Sequence, residues 1–221
     1  MKDTEQKNNL SQEEKIILLL DQKADLSDDI SQVVIEEPEL LDTIFNGVSS
    51  PVTRVKFRCA KILKLISAKQ PELLTSHWTF FINLLDSDNK IILWNALDII
   101  ANLTSKDPEH NFNEICSRFY KFLEDDSMVT AAHVIDNSAI IVSNRPDLQS
   151  KITQKLLNIR EIPRTGECHD ILSGKAIQTM DSYFDDIDDK KTVIEFARKA
   201  SHSDRKATRE KAEKFLKKHD G

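Results

Sequence analysis

Apolar residues in this chain recur with the period of a helix and recur again at the length of a repeat. Cys59, Ala60, Leu63 and Ile66 stand at i, i+1, i+4 and i+7, one stripe of an amphipathic helix and not the alternation of a strand. A shift of 37 residues superposes them on Ala96, Leu97, Ile100 and Leu103, and a further 38 on Val134, Ile135, Ser138 and Ile141. Of these twelve positions only Ser138 is neither apolar nor cysteine, and its hydroxyl can bond back to a carbonyl of its own helix.

The same shifts carry the corners between helices. Pro71, Pro108 and Pro146 lie 37 and 38 residues apart, each followed by an acid, and Pro38-Glu39 gives an earlier copy 33 residues before Pro71. The residue before a proline is pushed out of the α region, which ends one helix. Proline suits the first turn of the next helix, and the acid there complements its dipole. A sequence with such self-similarity reads as a stack of like units.

The pattern predicts twelve helices near 11–22, 27–36, 39–47, 52–68, 72–85, 90–105, 111–124, 127–143, 147–159, 168–185, 189–201 and 204–218, which make six antiparallel pairs. Links within pairs, such as Asp86-Ser87-Asp88-Asn89 and Glu124-Asp125-Asp126-Ser127, are rich in residues that cap helix starts. The least regular link, 160–167 with Pro163 and Gly166, is expected to protrude as a loop.

Composition narrows the class further. Four glycines in 221 residues are few for a fold whose turns and phosphate loops need positive φ, whereas helices tolerate that poverty. No stretch reads as a signal peptide or membrane span; Lys2 and Lys7 sit among polar residues, and the longest apolar block is Ile16 to Leu20. Cys59, Cys116 and Cys168 are far apart and odd in number, so neither a disulfide framework nor a zinc site is indicated, and a reducing, cytoplasmic setting suits them.

The net charge of −6 argues against general affinity for nucleic acid, but its distribution is uneven. Residues 1–50 carry twelve acids against four bases, whereas 190–219 carry eleven Lys or Arg against four acids. The first stretch reads as solvated helix faces, and the second either as that or as a surface that docks an anionic partner.

Pairs with a proline-led first helix, an acidic turn and a second helix carrying a small central residue (Ala60, Ala96) resemble HEAT or armadillo repeats. The resemblance implies an all-α fold, a right-handed α-α superhelix of about six helix pairs forming one array across residues 1–221. It covers 38–160 best, with 1–37 as an N-terminal capping pair and 161–221 as divergent C-terminal repeats. Arg209 and Ala212 echo the Arg-x-x-Ala spacing of many HEAT second helices.

In that family the second helices line a concave face that grips ligands, so their outward positions are the candidate partner-binding residues. The repeat shifts align Arg58, Asn95 and His133 in one row, Lys61, Asp98 and Asp136 in the next, and Leu65, Asn102 and Ile140 in a third. Armadillo importins place Trp and Asn four residues apart on that face. Here Trp94 is followed by Asp98, and the corresponding pairs are Phe57 with Lys61 and Ala132 with Asp136, so nuclear-signal recognition is not supported. Trp94 serves either as packing between repeats or as a binding anchor.

Other chemistry is sparse. The acidic run Asp181, Asp185, Asp186, Asp188 and Asp189 lacks the spacing and closing Glu of a calcium loop and reads as a solvated helix junction. Cys168-His169 is flanked by Glu167 and Asp170, which would raise a thiol pKa, and neighbours on a helix do not face each other. No Gly-rich phosphate loop or G-x-S-x-G elbow occurs, and His77, His110, His202 and His219 are scattered, so no catalytic residue, metal site or cofactor is assigned.

Two functions follow. The first is a non-enzymatic scaffold that binds a protein or peptide through the second helices. The second is a nucleic-acid-binding role for Lys190, Lys191, Arg198, Lys199, Arg205, Lys206 and Arg209, an arrangement for which HEAT-like alkylpurine DNA glycosylases are the family precedent.

Overall fold

In the computed structural model residues 11–220 are described; the opening segment 1–10, which holds Lys2, Lys7 and the start of the expected capping pair, lies outside them, as does Gly221. The described residues form twelve α-helices and no strand, one for each helix the sequence predicts. Several expected first turns are wound instead as 3-10 helix, at 38–40, 71–77 and 146–148, so the α-helices behind them begin later than expected.

The chain divides into two compact units, Met1–Lys106 and Asp107–Gly221. The first holds α1 (Gln12–Leu20), α2 (Ser27–Glu36), α3 (Leu41–Gly47), α4 (Thr53–Lys69), α5 (Trp78–Leu84) and α6 (Lys90–Leu103). Within it the second helix of each pair packs on the next, α2 on α4 and α4 on α6, while α3 lies against α4 and α5 against α6. The second holds α7 (Asn111–Lys121), α8 (Met128–Asn144), α9 (Gln149–Leu157), α10 (Gly166–Asp181), α11 (Lys190–Ala200) and α12 (Lys206–His219). There α10 packs between α8 and α12, and α11 lies against α12.

The repeat is physical as well as textual. All twelve residues of the aligned stripe are buried, including Ser138. Its Oγ donates to the Val134 carbonyl (2.8 Å) and lies 3.0 Å from the buried Tyr120 hydroxyl, so the one polar position is satisfied twice. The corners repeat too. Glu37, Gln70 and Arg145, each before a proline, hold φ of −124, −141 and −133° and ψ of 75, 70 and 71°. Each N–H still donates to the carbonyl four residues back, at 2.8, 2.7 and 2.7 Å, and the proline then opens a 3-10 turn.

Pro108 departs from this pattern. It lies in a turn, and His110 behind it takes a left-handed conformation at φ 58° before α7 begins. The cap is Asp107, whose carboxylate accepts the backbone N–H groups of Asn111 (2.8 Å) and Phe112 (2.9 Å) and faces the Arg145 guanidinium at 3.8 Å. Both charged side chains are buried, and Arg145 is held further by Asn113 (2.8 Å) and by Asp147 (2.7 Å).

The 160–167 link is exposed at six of its eight positions and is tied to its own unit by hydrogen bonds. Arg164 Nη2 donates to the carbonyls of Leu123 (2.8 Å) and Asp125 (2.5 Å), His169 Nε2 sits 2.7 Å from the Ile162 carbonyl, and Thr165 caps α10, which starts at Gly166. Carbonyls in the turn between α7 and α8 thus anchor the link.

Candidate partner-binding surface

The outward rows of the second helices resolve into contacts between neighbouring repeats. In the first unit Arg58 is buried, and its Nη1 donates to the carbonyls of Leu20 and Gln22, both at 2.7 Å, with Nη2 on Lys23 at 3.2 Å. It therefore closes the C-terminal end of α1, and Arg54 on the same helix also donates to the Asp21 carbonyl. Lys61 pairs with Asp25 (2.9 Å) and Asp28 (3.6 Å). Hydrogen bonds from Ser27 first, and then from Lys61, hold the Asp25 carboxyl well below the usual carboxylate range, and Asp25 in turn raises the Lys61 ammonium.

Further along the same unit Asp98 is 3.5 Å from Lys64, and Asn102 Nδ2 donates to Ser67 Oγ at 2.9 Å, so α6 is laced to α4. Asn95 Nδ2 turns back to the Ile91 carbonyl of its own helix (2.8 Å). Trp94 is half-buried. In the second unit Asp136 is exposed and pairs with Lys175 on α10 at 2.5 Å, while His133 is half-buried. The sequence brought these residues into rows; the structure shows Lys61, Asp98, Asn102 and Asp136 each bound to a neighbouring second helix or its approach.

The third row is different in the second unit. Ile140 is 38% exposed and lines an open groove of about 670 Å³ between the C-terminal ends of α8 and α10. Ala139, Ser143, Pro146, Ser182 and Asp186 complete its walls, and the buried Gln149 and Tyr183 its floor. Gln149 Nε2 donates to Thr153 Oγ1 (2.9 Å), which lies 3.4 Å from the Tyr183 hydroxyl; burial pushes that phenol up to about 12. The floor is neutral, with an aliphatic wall and one exposed carboxylate at the rim. From sequence only Ile140 was visible here, because the groove depends on how Ser182 and Asp186 return beside α8.

The basic helices α11 and α12 are partly neutralised. Arg198 forks onto Asp220 (2.6 and 2.8 Å from Nη2, 3.0 Å from Nε), Arg205 is 3.7 Å from Glu167 and Lys206 3.6 Å from Glu210. Arg209 Nη1 donates to the Ser203 carbonyl at 2.8 Å, and Lys190 lies 5.6 Å over the Phe184 ring. Lys191 and Lys199 are exposed. In the acidic run Asp181 binds Lys218 (2.8 Å) and His219 (2.6 Å) and Asp189 caps α11, whereas Asp185, Asp186 and Asp188 are exposed. Cys59 and Cys116 are buried, and burial raises the Cys59 thiol to about 12.

No family model matches the chain, and no curated protein does. Among solved structures it is similar to an engineered protein from a structural genomics programme at 16% identity and TM-score 0.51, covering 96% of this chain and 97% of that one. It is similar as well to a designed armadillo repeat protein at 17% identity and TM-score 0.52, covering 92% of this chain and 98% of that one. At such identities the likeness carries the fold alone.

Proposed function

We propose that this α-solenoid of the HEAT and armadillo type is a non-enzymatic scaffold that holds a protein partner against the second helices of its repeats, chiefly at the α8–α10 groove. The armadillo-like fold commonly serves as a protein-binding scaffold, which gives the class. The observation that carries the site is the groove itself: an exposed Ile140 beside Ser143 and Ser182 over a neutral floor, in a protein where Lys61, Asp98, Asn102 and Asp136 of the outward rows are engaged with neighbouring repeats.

The partner's affinity comes from an apolar side chain set against Ile140 and from hydrogen bonds to the rim. Ile140→Glu with Ser143→Lys leaves the buried stripe untouched and removes both. Quantitative affinity purification from cells compares this variant with Glu114→Lys/Lys151→Glu, altered on exposed positions of α7 and α9. Loss of the same proteins from the groove variant alone, with unchanged circular dichroism, supports the reading; an unchanged set of captured proteins ends it.

A further inference from the structure

Large apolar side chains left exposed among the described residues are unevenly placed. Ile17 and Leu18 on α1 are 50 and 54% exposed and Val33 on α2 is 38% exposed; Val52, Ile91, Val129 and Ile140 follow singly along the chain, and residues 141–220 expose none. The α1/α2 pair thus leaves large apolar side chains in water, and the α11/α12 pair does not. The charges run the other way from one another: residues 11–37 carry eight carboxylates against two lysines, and 190–219 eleven Lys or Arg against four acids.

Part of each set is consumed locally, by Arg54 and Lys61 on one side and by Asp181, Asp220, Glu167 and Glu210 on the other. Exposed Glu13 stands one turn before Ile17, and exposed Asp29 one turn before Val33. Lys191, Lys199, Lys214 and Lys217 are exposed on α11 and α12. No ion pair forms on these six side chains among the described residues.

We propose that a second copy of this chain docks its α11/α12 face on the α1/α2 face, head to tail. The aliphatic stems of the lysines cover Ile17, Leu18 and Val33 while their ammonium groups reach the carboxylates around them. A twofold dimer through α1/α2 alone is disfavoured, since it would set one acidic face against itself. A heterologous contact leaves one face of each kind unfilled, so assembly continues unless it closes into a ring.

The test is sedimentation velocity on the full-length chain over a concentration series, at about 50 mM and about 500 mM salt, because screening at the higher value shortens the reach of surface charge several-fold. Two variants block one face each: Ile17→Lys/Leu18→Lys, and Lys199→Glu/Lys214→Glu/Lys217→Glu. The wild-type chain associates with rising concentration at low salt and dissociates at high salt, and each variant alone stays monomeric. An equimolar mixture of the two variants forms a dimer and nothing larger, since only one intact face of each kind remains. A wild-type chain that stays monomeric up to about 100 µM at low salt overturns the proposal. So does a variant mixture that stays monomeric while the wild type associates, or association that requires an added oligonucleotide. The capture experiment on the groove is independent of all these outcomes.

Discussion

A methyl group on Gly47 would stand 2.3 Å from the sulfur of Cys59. The last residue of α3 therefore crosses α4 at a distance only hydrogen permits, against a sulfur that is itself fully buried. Alanine there gains helix propensity of about 1 kcal/mol but overpacks a rigid neighbour, at a cost of about 1–3 kcal/mol. Gly47→Ala is expected to lower the urea midpoint, and the same change in a Cys59→Ala background to cost measurably less. Equal costs in both backgrounds would place the strain elsewhere.

Arg58 supplies three hydrogen bonds to the carbonyls that end α1. Arg58→Ala leaves those carbonyls without their donor, a loss of about 1–3 kcal/mol for each buried group left unsatisfied. Hydrogen exchange should quicken at 12–23 far more than elsewhere in the chain. Arg58→Lys recovers only part of the protection, because an ammonium lacks the planar fork.

By contrast the Asp136–Lys175 pair is half open to water, and exposed pairs contribute about 0–1 kcal/mol. Asp136→Ala should therefore leave the urea midpoint almost unchanged. A loss as large as that of Arg58→Ala would mean the pair is buried in solution.

Asp181 links pH to the docking of α12. Burial pushes its carboxyl up, but hydrogen bonds from Lys218 and His219 outweigh this and hold it below the ordinary value. A carboxyl lowered on folding stabilises above its unfolded value, near about 4, and that contribution fades as pH falls through the folded value. Thermal melts of the wild type should thus lose stability as pH falls below about 4 more steeply than melts of Asp181→Asn. Parallel curves would remove Asp181 from the account.

The fold was legible because its signals lie within one repeat: the stripe from Cys59 to Ile141 needed only periodicity, and the corners at Pro38, Pro71 and Pro146 only the steric demand of proline. Pro108 misled slightly, since Asp107 takes over the capping role through a side chain whose target lies four and five residues on. The outward rows were legible as rows but not as bonds. Lys61 with Asp25, Lys64 with Asp98 and Asp136 with Lys175 are 36, 34 and 39 residues apart, opposite charges near the repeat spacing, and pairing positions across the shift would have found them. The groove at Ile140 had no such signal, because its opposite wall comes from Ser182 and Asp186, beyond the best-aligned repeats.

The scaffold reading meets its most direct test in site-specific photocrosslinking in cells, with the reactive residue placed at Ser143 or Ser182 on the groove and at Lys151 or Glu114 away from it. One discrete crosslinked protein is expected, shared by positions 143 and 182, absent from 151 and 114, and lost when Ile140 is changed to Glu. Equal crosslinking from all four positions, or a product that survives Ile140→Glu, would contradict the scaffold reading.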